Sequence, residues 1–373
     1  LCPTHKSKVI DYKEKNYFFA LSKYEDKLNE YISKNPDFIM PDFRKNEVLG
    51  WIKEGLKDFP ISRRSVKWGI PIPVDTDQTI YVWFDALLGY ISGLLEDGEE
   101  ATLENALKSY WPSSIHVIGK DILRFHAVYW PCMLMSAGLP LPKNVFGHGF
   151  LTKDGEKMGK TTGNIIDPYE LIEIYGIDAV RFYFLREISF GKDGDFTSES
   201  FINRINSDLA NNLGNLLNRS LNLVNKNFNG EIQLIEKSDF SGDIETTIKD
   251  YEKLMDNYEL KEALDSVWRL IDKTNKTFNE KAPWKLIKSG DLDQAEACLY
   301  ETLEILRNIC ILIHPFVPNT SLKMYKQLGY DRLDKSREWD RIGWNKAKEG
   351  FKVQKGEPVF PRIEIKENAV TSK

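Results

Sequence analysis

The chain is 373 residues long, 42% hydrophobic, and carries a formal charge of -5, so it is long enough for about two or three domains with real cores and is not a disordered polymer. This charge balance supplies no global attraction to a polyanion, and any nucleic-acid binding has to come from local basic or aromatic surface. No run of about 18 apolar residues occurs and the start lacks a charged-then-apolar leader, which predicts a cytoplasmic protein that spans no membrane.

Four scattered cysteines, Cys2, Cys132, Cys298 and Cys310, contain no CxxC pair and fit reduced thiols better than a disulfide framework. Cys2 and His5 have ligand-like spacing, but one such pair does not complete a zinc site.

Residues 1–60 alternate short apolar runs such as Tyr17-Phe18-Phe19 with charged amphipathic segments at 25–33 and 47–56. Thr79-Ile-Tyr-Val-Trp-Phe84 is β-branched and aromatic and predicts a strand. Trp83 and Tyr90 then fall at and beyond its carboxyl end, where open α/β sheets place ligands. Ile115-His-Val-Ile-Gly119 predicts a second strand. Asp121 predicts the N-cap of a helix through Ile122, Phe125, His126, Tyr129 and Met133, kinked at Pro131. A cap accounts for Asp121 without any function, and a lone His126 is ordinarily a core histidine.

Phe146-Gly-His148-Gly149 reads as a last strand and its exit. The stretch that follows, to Asn164, carries glycines at 155, 159 and 163 and, among its lysines, Lys157 and Lys160 three residues apart. It predicts a mobile loop suited to polyphosphate, because lysine is a compact point charge and glycine lets backbone close over a nucleotide. A solvated hairpin tip accounts for the same residues. Asp167 before Pro168, with Glu170 three residues after the Asp, predicts a helix to about Tyr175.

From about Phe196 the pattern is helical, with Phe201, Ile205, Leu209, Leu213, Leu216, Val224 and Phe228 in periodic register. Ten asparagines lie between Asn203 and Asn229, although asparagine is a mediocre helix former. Either composition has drifted or the amides act: Asn215 and Arg219, one turn apart, are suited to reading base edges. A helix from Leu260 to about Lys281 ends at Ala282-Pro283-Trp284, leaving the indole free for packing or for stacking on an unpaired base. A long helix at 294–313 stops at His314-Pro-Phe-Val-Pro318, and 358–363 predicts a short strand before a polar end.

KMGKT followed by TGN, at 157–164, resembles the lysine-rich signature loop of class I aminoacyl-tRNA synthetases, usually KMSKS followed by xGN, with Gly159 and Thr161 in place of the two serines. YVWFDALLGY at 81–90, GKDIxxFHxxxWP at 119–131, NxxxR at 215–219 and APW at 282–284 each resemble motifs of methionyl-tRNA synthetases. The resemblance covers nearly the whole chain. It implies an α/β fold: the C-terminal half of a Rossmann-like class I synthetase catalytic domain, followed by an all-α anticodon-binding helical bundle. It also implies a division into the end of a connective insertion (1–60), the second half of the catalytic domain (61–155), the signature loop with a small α-helical linking module (156–195), the anticodon-binding domain (196–340) and a C-terminal tail (341–373).

The activity implied is ATP-dependent activation of L-methionine and its transfer to tRNA(Met), with ATP and Mg2+ required. Zinc content and oligomeric state stay open. The residues implied are Lys157 and Lys160 for catalysis; these two with His148, Gly149 and Gly119 for ATP; Trp83, Ala86, Tyr90, Asp121, Phe125 and His126 for methionine; and Asn215, Arg219 and Trp284 for the anticodon. No HxGH motif and no opening βα unit occur, so the chain reads as the C-terminal two-thirds of such an enzyme, inactive by itself. Two other readings stand beside this one: a tRNA-binding fragment without catalysis, and a class I synthetase for an aliphatic amino acid.

Overall fold

The structure, a computed structural model, describes residues 8–9, 13–112, 115–159, 163–331, 333, 339–354 and 356–364. The chain divides into two compact units, Leu1–Gly149 and Phe150–Lys373.

The first unit is built on a parallel three-stranded sheet in the order Ile39–Met40, Asn144–His148, Ile115–Gly119. Val145 and Phe146 of the central strand are buried, as expected where helices cover both faces of a parallel sheet. Leu123, Ala127, Val128 and Trp130 from one helical run and Leu87 and Ile91 from another belong to the same core. Registry from Ile115 opposite Asn144 to Gly119 opposite His148 sets the carboxyl ends of two strands side by side.

Two expectations need correction here. The aromatic run at 79–84 is not a strand of this sheet. A strand, Asp75–Ile80, takes in only its first two residues and belongs to a separate antiparallel sheet between Ser62–Arg63 and Pro71–Ile72. Tyr81 is extended, and the helix Val82–Ser92 starts directly after it. Leu87 and Ile91 bury at helical spacing, and this tertiary burial overrides the strand preference of Val82-Trp83-Phe84.

Asp121, in turn, is no N-cap. It lies inside a 3-10 turn, Lys120–Ile122, that Gly119 precedes without any side-chain cap. The break expected at Pro131 takes the form of a π-helical turn, Phe125–Tyr129, leading into the α-helix Trp130–Ala137, with the proline in its first turn where no N–H is needed.

The second unit opens with a hairpin, Leu151–Lys153 against Glu156–Lys157, whose tip residues Asp154 and Gly155 both have positive φ. Gly194–Phe196 adds a parallel strand. The helix Pro168–Tyr175 is capped as expected, with the Asp167 side chain accepting from the Tyr169 amide, and Ile177–Glu187 follows.

One helical run then comprises Ser198–Arg204, a π-wound stretch Ile205–Gly214, and Asn215–Asn227. Ser241–Asp256, Leu260–Lys281, Pro283–Ser289, Leu292–Ile313 and Pro318–Gln327 complete the bundle. Leu292–Ile313 is buried on every side from Cys298 onward, the mark of a central helix. The tail strand expected at 358–363 is absent. The strand is Phe351–Lys352, paired with Glu231–Ile232, and Pro358 and Pro361 remove ladder donors from the stretch where it was expected.

Candidate functional site

Helix Val82–Ser92 carries Trp83, Ala86 and Tyr90 at helical spacing on one face. The Trp83 ring stacks on Phe125, with centroids 4.1 Å apart and planes at 17°. The Tyr90 hydroxyl lies 2.8 Å from Nε2 of His126, and Nδ1 of His126 lies 3.0 Å from the carbonyl of Ile122. A carbonyl only accepts, so Nδ1 is assigned the proton, Nε2 accepts, and Tyr90 donates. Burial lowers the pKa of His126, against the opposing pull of the Ile122 carbonyl. Burial also pushes the Tyr90 phenol above its usual range.

Beside this pair is a residue that sequence reasoning missed. His116 is 4% exposed, its Nε2 accepts the Trp130 indole N–H at 3.2 Å, and its ring lies 4.3 Å from that of Tyr90. Burial, with a smaller contribution from His126, brings its pKa down to about 4. A signal was available: in Ile115–Gly119 the alternate residues His116 and Ile118 are the buried ones, so strand periodicity assigns the imidazole to the core.

At the carboxyl ends of the two parallel strands, Gly119 stands opposite His148. A Cβ added at Gly119 would meet Oδ1 of Asp121 at 2.6 Å and Cε1 of His148 at 4.0 Å, so any larger residue there displaces the Asp121 carboxylate from its present position beside the strand end. Asp121 is exposed, and Nδ1 of His148 donates to the Gly149 carbonyl at 2.8 Å. Acid, imidazole and open backbone thus gather where parallel sheets hold ligands.

The stretch expected as a mobile loop begins as a pinned hairpin. Oδ1 of Asp195 accepts from the Thr152 hydroxyl at 2.5 Å and the Gly155 amide at 2.9 Å, bonds that hold its carboxyl below the usual range. Asn164 closes the other end, donating to the Lys157 carbonyl at 3.2 Å and accepting from the Gly159 amide at 3.0 Å. Lys157 is exposed, with Nζ 5.8 Å from the Phe150 ring centre. Lys160 lies outside the described residues.

In the helical bundle the Arg219 guanidinium lies 5.0 Å from the ring of Phe278 and 5.0 Å from that of Trp284, and it donates to Oδ1 of Asn279 at 3.0 Å. Asn215 is exposed one turn earlier on the same helix. Proline does not simply end the preceding helix: Ala282 turns left-handed (φ 43°), and Pro283 and Trp284 open the next one. The indole is 37% exposed. The structure brings Arg219 and Trp284 together, with Phe278 and Asn279 beside them. Among the described residues no group of three or more His, Cys, Asp or Glu side chains stands ready for a metal, and no helix is long and apolar enough to cross a membrane.

A parallel-sheet unit with this constellation at its strand ends, followed by a lysine hairpin and a helical bundle, is a class I synthetase catalytic domain followed by an anticodon-binding domain. The family described as tRNA synthetases class I (M) matches residues 2–221, and the anticodon binding domain of methionyl tRNA ligase matches residues 229–371. The chain belongs to the methionyl-tRNA synthetase family.

It is 50% identical to the chloroplastic/mitochondrial methionine–tRNA ligase of Arabidopsis thaliana, over 98% of this chain and 60% of that protein. It is 47% identical to the methionine–tRNA ligase of Nostoc sp., over 98% of this chain and 72% of the relative. The structure of Mycobacterium tuberculosis methionyl-tRNA synthetase in complex with methionyl-adenylate is similar with a TM-score of 0.85 and 40% identity, over 94% of this chain and 69% of the other. The chain thus spans about 60 to 72% of the length of these relatives.

Proposed function

We propose that the protein acts as a methionine–tRNA ligase, joining the carboxylate of L-methionine to the α-phosphate of ATP with release of pyrophosphate, then passing the methionyl group to the terminal adenosine of tRNA(Met) with release of AMP. The observation that carries this reading is the stacked Trp83–Phe125 pair beside the Tyr90–His126 hydrogen bond. Flat rings around a hydroxyl suit a thioether, because sulfur sits favourably against aromatic edges and an unbranched side chain fits between planes. A branched aliphatic side chain would gain little from the polar pair.

In this reading Ala86 leaves room for the side chain and Asp121 pairs with the substrate ammonium. Gly119, His148 and Gly149 receive the adenosine part. Lys157 and Lys160 offset charge developing on the polyphosphate, and Asn215, Arg219 and Trp284 read the anticodon. Catalysis is positioning and charge stabilisation, without a general base. Mg2+, implied together with ATP, would supply further neutralisation of the polyphosphate charge. On this reading residues 1–60 close a connective insertion, 61–155 form the second half of the catalytic domain, 156–195 the signature loop and linking module, 196–340 the anticodon-binding domain and 341–373 a C-terminal tail.

The test is methionine-dependent ATP–pyrophosphate exchange in the full-length ligase with Lys157 and Lys160 each replaced by Ala. The expected loss in turnover is roughly 100-fold or more with the methionine KM little changed. Unaltered exchange in both variants would reject the role assigned to the lysines.

A further inference from the structure

His116 stands behind the aromatic pocket, not in it. It belongs to the strand Ile115–Gly119, opposite Val145 of the central strand, and is 4% exposed. An imidazole is a poor filler for an apolar core, because its ring nitrogens need partners. Ile118, two residues on and equally buried, is the aliphatic side chain that the same face of the strand accepts. Something beyond core filling is therefore asked of position 116.

Two contacts account for the imidazole. Its Nε2 accepts the indole N–H of Trp130, a side chain 0% exposed that would otherwise bury an unpaired donor. Its face backs the ring of Tyr90, with centroids 4.3 Å apart and planes at 40°. Of the rings around Tyr90 this is the nearest, since His126 is at 5.5 Å and Trp130 at 6.3 Å. The first contact is what any core histidine makes. The second carries further, because Tyr90 is 38% exposed and Ala86, one turn earlier on the same helix face, has no side chain long enough to brace it.

Tyr90 is thus held at two points, its ring against His116 and its hydroxyl on Nε2 of His126 at 2.8 Å. A hydrogen bond weakens steeply as its donor leaves the line. The hydroxyl sits at the far end of the ring, so a small tilt of the ring becomes a larger displacement of the oxygen. With its pKa brought down to about 4, His116 is neutral near pH 7, so it keeps its acceptor for Trp130 and sets no cation beside His126, whose ring is 6.2 Å away.

We propose that His116 is a positioning residue of the amino-acid pocket: its ring sets the plane from which the Tyr90 hydroxyl reaches His126, and through Tyr90 it governs methionine affinity without touching the substrate. The proposal rests on the methionine reading of this pocket and adds to it a side chain that the pocket motifs do not contain. Precision at a binding wall depends on such supporting contacts, because a wall residue free to rotate loses its geometry before the fold is lost.

The experiment uses the full-length ligase with His116→Gln, His116→Phe, Tyr90→Phe, and His116→Gln combined with Tyr90→Phe. Methionine affinity is read by calorimetric titration, and the KM values of methionine and ATP by pyrophosphate exchange. Glutamine keeps an acceptor for Trp130 but removes the ring, and is expected to raise the methionine KM roughly tenfold with the ATP KM within about twofold of wild type. Phenylalanine keeps a ring and removes the acceptor, so its methionine KM is expected within about threefold of wild type at a lower urea midpoint. Tyr90→Phe has no hydroxyl left to place, so adding His116→Gln to it should weaken methionine by less than about threefold more. An unchanged methionine KM in His116→Gln, a parallel rise in both KM values, equal losses in His116→Gln and His116→Phe, or full additivity in the double variant each overturns the proposal and leaves the pocket reading in place. A Tyr90→Phe variant that binds methionine as tightly as wild type overturns both.

Discussion

The Tyr90 hydroxyl donates to Nε2 of His126 across 2.8 Å, and Nδ1–H of His126 passes on to the Ile122 carbonyl across 3.0 Å. The relay fixes the tautomer of a buried imidazole and the direction of an aromatic hydroxyl at the same time. Tyr90→Phe keeps the ring but leaves Nε2 without a donor, at a cost of about 1 to 3 kcal/mol. Calorimetric titration of the full-length ligase with L-methionine is expected to show binding roughly tenfold weaker, or more, with an unchanged far-ultraviolet spectrum. Equal affinity would remove the hydroxyl from substrate recognition.

His116 makes the stability of the first unit depend on pH. Its pKa is about 4 in the folded chain against 6.5 for an unperturbed histidine, so the unfolded state takes up its proton first as the pH falls. The stabilisation is complete above pH 6.5 and is lost progressively toward pH 4. At about 1.4 kcal/mol per pH unit the loss is on the order of 3 kcal/mol. Urea unfolding at pH 7.5 and pH 5, with His116→Gln as control, should show a slope in the wild type that the control flattens. Parallel slopes would assign the dependence to other groups.

Glu304 and Arg307 form an ion pair that is 1% and 0% exposed, joined at 2.8 and 2.7 Å. Around it, Arg307 donates to the carbonyls of Arg341 and Gly343, both at 2.9 Å, and Glu304 accepts from the Asn345 amide at 2.9 Å. The pair therefore clamps a later segment of chain onto the central helix. Glu304→Gln leaves a buried guanidinium uncompensated and is expected to cost about 3 to 5 kcal/mol, while Glu304→Leu with Arg307→Met costs less than the sum of its parts. Denaturant midpoints of the three proteins decide this, and additivity would show that the two side chains act separately.

How much of this was legible beforehand depended on the range of the interaction. Helices at 260–281 and 168–175 were readable to within a residue because their signals, a Pro-Trp boundary and an Asp-Pro cap, are local. The hairpin at Asp154-Gly155 had its dipeptide signal, but the flanking Lys153 and Glu156 gave no apolar alternation to complete it. Trp83 was assigned to the pocket by its motif although its element was misread, since the burial of Leu87 and Ile91 that makes a helix there is set by the rest of the fold. Glu304, Arg307 and Asn308 look in sequence like a solvated helix face. Their burial follows from the bundle closing around Leu292–Ile313, which no local pattern records.

The claim on which the account depends is that Trp83, stacked on Phe125 at 4.1 Å, forms a wall of the amino-acid pocket. It is tested most directly by the methionine KM of Trp83→Ala in ATP–pyrophosphate exchange, measured in the full-length ligase alongside the ATP KM. The account predicts a methionine KM raised by roughly tenfold or more, as loss of a large aromatic surface implies, with the ATP KM within about twofold of wild type. A variant whose methionine KM is unchanged would contradict it.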